Sequence, residues 1–201
     1  GLVKAGAFDE LETNRSSLLN SIPRLIQMNK SIFDEKDSNQ NNLFSENSNE
    51  KTAIFNLEKI QQWSNNELLM NEFRSIGFYM SDHPLKIYKD YFNKSKVVSF
   101  KDFVNGSENS ALVAGTIMSI QEKKSAKGTS FAIVKFSDLK SEFELFLFSD
   151  LLITNRDKLK IANSFILTLQ KDNSSNSAGT RRINIRNINN LSNFTDKAFE
   201  R

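Results

Sequence analysis

The chain has no cysteine and a single histidine, His83, among its 201 residues. Disulfides are therefore impossible, and a thiolate or multi-histidine zinc site is excluded. That composition allows a reducing, cytoplasmic setting. No apolar run approaches the roughly 18 residues of a membrane span, and no basic-then-apolar leader opens the sequence, so no membrane partner is expected. Also missing are a Gly-rich phosphate loop, a Ser-His-Asp arrangement and a compact set of carboxylates spaced to hold two metal ions. The residues thus point to no catalytic centre and to no metal or cofactor in this stretch. Asp9, Glu10 and Glu12 read as helix-start carboxylates after a turn. His83, beside Pro84, reads as a capping or packed side chain, since no nucleophile or second ligand lies near it in sequence.

What is present suffices for one or two modest domains, with 38% hydrophobic residues. The net charge of +3 conceals an asymmetry. Residues 1–110 hold 13 Lys/Arg against 15 Asp/Glu, while 111–201 hold 14 against 9. The C-terminal part is the one suited to an anionic partner, nucleic acid or another polyanion.

The periodicity predicts an α+β chain. Gly6 breaks a short N-terminal helix, and Asn14 is the expected N-cap of a second helix whose Leu18, Leu19, Ile22, Leu25 and Ile26 define a buried face, with a kink or fresh start at Pro23. Ser64 and Glu67 have capping-box spacing ahead of a stripe of Leu69, Phe73 and Ile76, which Gly77 ends. Pro84 suits the first turn of a further helix through Ile87, Tyr88 and Tyr91. From about 111 the pattern alternates, giving strands Leu112–Ile120, Ser130–Asp138, Glu142–Phe148, Ser164–Gln170 and Arg182–Ile188, with a short helix between Asp150 and Lys160. Three strands, a helix and two strands is the order of a five-stranded OB barrel, whose second and third strands and flanking loops commonly bind oligonucleotides. The expected organisation is a helical region at 1–37, a flexible segment at 38–52, a helical connector at 53–105, the OB domain at 106–192 and a tail at 193–201.

Two basic connections flank the expected groove. Lys123, Lys124 and Lys127 sit between the first two strands, and Arg181 and Arg182 close the last connection, all placed to hold phosphates by charge. Alternation assigns Ala132, Val134 and Phe136 to the core and Phe131, Ile133 and Lys135 to the outer face. On the next strand Phe143, Leu145 and Leu147 face in, while Glu144, Phe146 and Phe148 face out. Phe131 and Phe146 are the candidate rings for stacking on unpaired bases. Glu144 opposes them, because a carboxylate repels phosphate.

The segment SNQNNLFSENSNE, residues 38–50, is too polar to fold on its own, yet it carries the adjacent apolar pair Leu43 and Phe44. The pair either anchors the segment to its own domain or is meant for another protein.

Three blocks carry a family likeness: LVKAGAFDELETNRSSLL, IGFYMSDHPL and LVAGTIMSIQEKKSAKGTSFAIVKFSDLKSEFELFLF. In that order they resemble, over essentially the whole chain, the C-terminal part of the DNA polymerase III alpha subunits, the replicative C-family polymerases of bacteria. The first looks like the end of a tandem helix-hairpin-helix element, the second is similar to the family's GFYLSGHPL block, and the third matches its OB domain. The resemblance implies that Gln40, Leu43 and Phe44 form the Q-x-x-L-F peptide that binds the sliding β-clamp, with Leu43 and Phe44 in an apolar pocket and Gln40 in flanking hydrogen bonds. It implies single-stranded template DNA as the OB partner, duplex DNA as a further partner through amides near Gly6 and Ala7, and contacts with other replisome subunits. The DNA-polymerising centre and its Mg would belong to the parent enzyme, upstream of this stretch. Asp82 stands where the family usually has Gly, and Asp visits positive φ more readily than most residues, so that turn is expected to survive. Asn41 replaces a small or apolar residue, which would weaken clamp binding. Two alternatives keep the OB domain and change its role: a docking scaffold for replisome proteins, or an RNA-binding module.

Overall fold

The computed structural model describes residues 1–37, 56–175 and 181–191. The chain divides into two compact units, Gly1–Phe78 and Tyr79–Arg201. The proposed clamp peptide, Gln40 with Leu43 and Phe44, lies outside the described residues.

The first unit contains three helices: α1 (Leu2–Ala5), α2 (Arg15–Asp37) and α3 (Asn65–Ile76). Gly6 ends α1 at φ 85°, and the Gly6 and Ala7 amides donate to Val3 and Leu2 carbonyls. That use corrects the expectation that these two amides could meet a phosphate, because capping α1 has already engaged them. Asn14 caps α2 as expected, its Oδ1 accepting from Ser17 N at 3.0 Å. The buried face of α2 differs from the expected one. Arg15, Ser17 and Ser21 are buried there, whereas Leu18, Leu19, Ile22 and Leu25 are half-buried and Ile26 is 64% exposed. The reason is that the first turns of α2 receive a polar strap. Ser17 Oγ accepts from Ile60 N at 3.1 Å, Asn14 Nδ2 donates to Ile60 O at 2.6 Å, and Asn20 Nδ2 donates to Glu58 at 2.7 Å. The helix also runs through Pro23 without a fresh start. Pro23 is exposed, so water can serve the carbonyl its missing N–H leaves behind.

Arg15 organises the rest of this unit. Its guanidinium pairs with Asp9 at 2.6 Å, lies 3.6 Å from the fully buried Glu72 of α3, and donates to the Lys4 carbonyl. A buried carboxylate needs such a partner, since an unpaired one costs several kcal/mol. The Ser64–Glu67 capping box on α3 is complete, Leu69 and Phe73 are buried, and Gly77 closes the helix at φ 85°.

The second unit begins with a 3₁₀ turn (Pro84–Tyr88), α4 (Lys89–Lys94), the two-residue β1 (Val97–Val98) and α5 (Phe100–Asn105). The main strands are β2 (Ser110–Lys124), β3 (Ser130–Ser137), β4 (Glu142–Leu147), β5 (Ser164–Ser175) and β6 (Arg181–Asn190), with α6 (Ser149–Asn155) after β4. The hydrogen-bonded order is β4-β3-β2-β5-β6, all antiparallel, and β1 adds to β2 in parallel. This α+β unit has the strand order expected of an OB-like fold. The barrel is not closed by hydrogen bonds: β4 and β6 approach one another without a ladder between them among the described residues. Register shifts along β5–β6 bend that edge.

Two cores lie on opposite faces of the sheet. Inside the curl, Ile117, Val134, Phe136, Leu147, Phe165 and Leu167 are fully buried together, with Phe103 of α5 and Leu152 of α6 packed on them. Gly115 fits closely there: a Cβ would lie 3.1 Å from the Phe136 side chain, so a larger residue needs that ring to shift. On the outer face, Leu85, Phe92, Ala114, Ile166 and Leu191 form a smaller core that covers only the β2–β5 end.

Candidate nucleic-acid interface

The other end of the outer face, on β3 and β4, is not covered by that second core. Alternation along the strands puts Phe131, Ile133 and Lys135 of β3 beside Glu144 and Phe146 of β4, with Ile133 paired to Phe146 and Lys135 to Glu144. The opposite side chains Ala132, Val134, Phe136, Phe143, Leu145 and Leu147 are all buried, as the sequence pattern requires. Phe131 and Phe146 approach with ring centroids 6.3 Å apart, and Phe146 is 43% exposed. Phe148, immediately after β4, is 47% exposed and carries the Arg182 guanidinium 5.5 Å above its ring. Lys123 is paired with Phe131 across β2–β3.

The basic residues do not all sit where connections were expected. Strand β2 continues through Lys124, so Lys123 and Lys124 are strand residues opposite Phe131 and Ser130, and the turn is only Ser125–Thr129. Gly128 takes φ 80° there, the left-handed residue that a short hairpin loop needs, and Lys127 is exposed beside it. Likewise β5 runs to Ser175, and β6 begins at Arg181, one residue before the strand start expected at Arg182. Long strands win here because each added pair satisfies backbone groups a loop would leave to water. Glu122 on the hairpin is neutralised by Arg156.

Lys135 is differently placed from the other candidates. Its ammonium lies 2.5 Å from Glu142 and is held above the usual lysine pKa, first by that hydrogen bond and then by the charge of Glu142. Its charge is engaged by neighbouring carboxylates. Phe148 was visible as an outward residue in the alternation, but its pairing with Arg182 was not, because it depends on β6 folding back toward β4. Among the described residues, no group of three His, Cys, Asp or Glu could hold a metal ion.

His83 caps the 3₁₀ turn, its Nδ1 accepting from Leu85 N at 3.1 Å, while Nε2 lies 2.9 Å from Ser137 Oγ. With Nδ1 an acceptor, the neutral ring keeps its proton on Nε2 and donates it to Ser137. Burial lowers the His83 pKa, against the opposing pull of Asp138 and Asp82. Asp82 does not adopt positive φ: among described non-glycine residues only Lys96 and Ala162 do. Its carboxylate instead accepts from His83 N and pairs with Lys86. The residue preserves the turn by hydrogen bonding rather than by left-handed backbone.

The second unit is an α+β, OB-like fold whose open sheet carries exposed aromatic rings beside cations on one face. Comparison with known proteins narrows that class. The DNA polymerase III subunit alpha of Rickettsia bellii is 35% identical over 152 residues, 74% of this chain and 13% of its own length. Those of Buchnera aphidicola and Caulobacter vibrioides are 32% and 29% identical, covering 80% and 79% of this chain and 14% of their own lengths. The chain is homologous to a segment of the DNA polymerase III alpha subunits and spans about an eighth of their length. No protein-family model matches it. No described helix is long and apolar enough to cross a membrane.

Proposed function

We propose that this chain is the non-catalytic C-terminal region of a cytoplasmic replicative DNA polymerase, holding single-stranded template on its OB-like sheet and tethering the enzyme to the sliding clamp. The observation that carries the reading is the outer face of β3–β4, where Phe131, Phe146 and Phe148 stand beside Lys123 and Arg182. Rings offer every base a π-face to stack on, and the cations meet the phosphates between them. Arg181, the first residue of β6, is a further proposed phosphate contact. Gln40, Leu43 and Phe44 are the proposed clamp contacts, and tethering would raise the polymerase's effective concentration at the primer end without altering its Mg-dependent chemistry elsewhere in the parent.

The test is oligonucleotide binding by the full chain across a salt series. Changing Lys123, Lys124 and Lys127 together to Glu should weaken binding by at least tenfold at low salt and flatten its salt dependence. Unchanged affinity and slope would remove the hairpin from the interface. A docking role retains one observation in its favour, a cleft of about 300 Å³ floored by Leu85, Phe92 and Ala114, with Val98 and Leu139 partly exposed at its edge.

A further inference from the structure

The outer face of β3–β4 is divided along the strands. At the hairpin end lie Phe131, Ile133, Phe146 and Phe148 with Lys123 and Arg182. Two residues further along each strand, Glu144 faces Lys135, and Glu142 follows, pairing with Lys135 through its carboxylate. Two carboxylates around one ammonium leave that row net negative, and Glu142 and Glu144 are both exposed. Two residues of strand is about 7 Å, shorter than the Debye length at physiological salt, so this charge is felt by any phosphate above Phe146.

We infer that Glu142 and Glu144 form an anionic border that ends the nucleic-acid footprint on this face, confining a bound strand to the ring-bearing half and keeping Lys135 out of phosphate contact. This rests on the nucleic-acid reading above and adds a limit to it. The site seats a short unpaired stretch, about one base per exposed ring, and excludes a longer strand that would continue along β3 and β4. The border works through two features: repulsion from the carboxylates and sequestration of Lys135, a cation on the same face that could have extended the track.

The experiment compares the full chain with Glu142→Gln/Glu144→Gln, titrated with fluorescent oligothymidylates of increasing length across a salt series. Both side chains are exposed, so the fold should survive, and circular dichroism with thermal unfolding checks it. The border predicts that the double variant binds long oligonucleotides about three- to tenfold more tightly at low salt, with short ones gaining less. The released Lys135 should steepen the salt slope by about 0.7, the value for one added single-strand phosphate contact. Adding Lys135→Ala to the double variant should cancel that steepening, whereas Lys135→Ala alone should change little. If wild type binds but the double variant shows the same affinity, length dependence and slope, the border is overturned while the interface stands. If neither protein binds any oligonucleotide, both fall together.

Discussion

His83 keeps the 3₁₀ turn and strand β3 joined by two bonds that require opposite ring nitrogens to play opposite roles. Protonating Nδ1 would remove the acceptor that Leu85 N uses, so the fold prefers the neutral ring, in keeping with the lowered pKa that burial causes. The sign follows from linkage: stability is whole above the ordinary histidine pKa of 6.5 and is lost as pH falls toward the lower folded value. Urea unfolding between about pH 7 and pH 5 should therefore show a loss of stability that His83→Asn abolishes. An unaltered pH profile in the variant would assign the loss to other groups. At the same scale, Gly6 and Gly77 share φ 85° but differ in surroundings. A Cβ at Gly77 meets nothing within 4 Å, while one at Gly6 would fall 2.1 Å from Arg15 Nη2. Gly77→Ala should cost roughly 1 kcal/mol for backbone strain alone. Gly6→Ala should cost about 3 kcal/mol, because Arg15 must move from the position in which it pairs with Asp9 and the buried Glu72. Equal losses by chemical denaturation would contradict this role for Arg15.

Individual elements differed in how plainly the sequence announced them. The Ser64–Glu67 box and the Gly77 stop are local chemistry, set by residues three or four positions apart, and both were legible. Ser64→Ala should accordingly destabilise the unit by about 1 kcal/mol. The inward and outward sets on β3 and β4 were equally legible, because a strand facing a core on one side must alternate. Helix α2 was misread for a physical reason. Its apolar spacing resembles a core face, but its buried positions hold Arg15, Ser17 and Ser21: Arg15 and Ser17 meet Glu72 and Ile60 from far along the chain, and Ser21 Oγ is buried without a hydrogen-bond partner among the described residues. Nothing local encodes such partners. The ends of β2 and β5 were drawn too short for the opposite reason: polar residues such as Lys123 and Lys124 read as loop, yet exposed hairpin ends tolerate charge on paired strands. The Arg182–Phe148 contact required knowing that two chain-distant strands approach.

On the scale of the whole molecule, the structure offers a surface and the proposed function supplies a tether. For the tether, Leu43→Ala with Phe44→Ala should abolish co-migration of the chain with a cognate sliding clamp, since such apolar anchors carry most of a short peptide's affinity. Retained co-migration would place the clamp contact elsewhere. For the surface, charge alone is an insufficient test, because any basic chain binds polyanions weakly. Stacking is the feature that separates this face from a merely basic one. The most direct measurement is fluorescence anisotropy of a labelled single-stranded oligonucleotide with the full chain and with Phe131→Leu/Phe146→Leu, which keeps the apolar bulk and net charge while removing both rings. The account predicts a loss of affinity of at least tenfold that persists at raised salt, in line with about 1–3 kcal/mol per stacked base. Equal affinity of the two proteins at every salt concentration would contradict it.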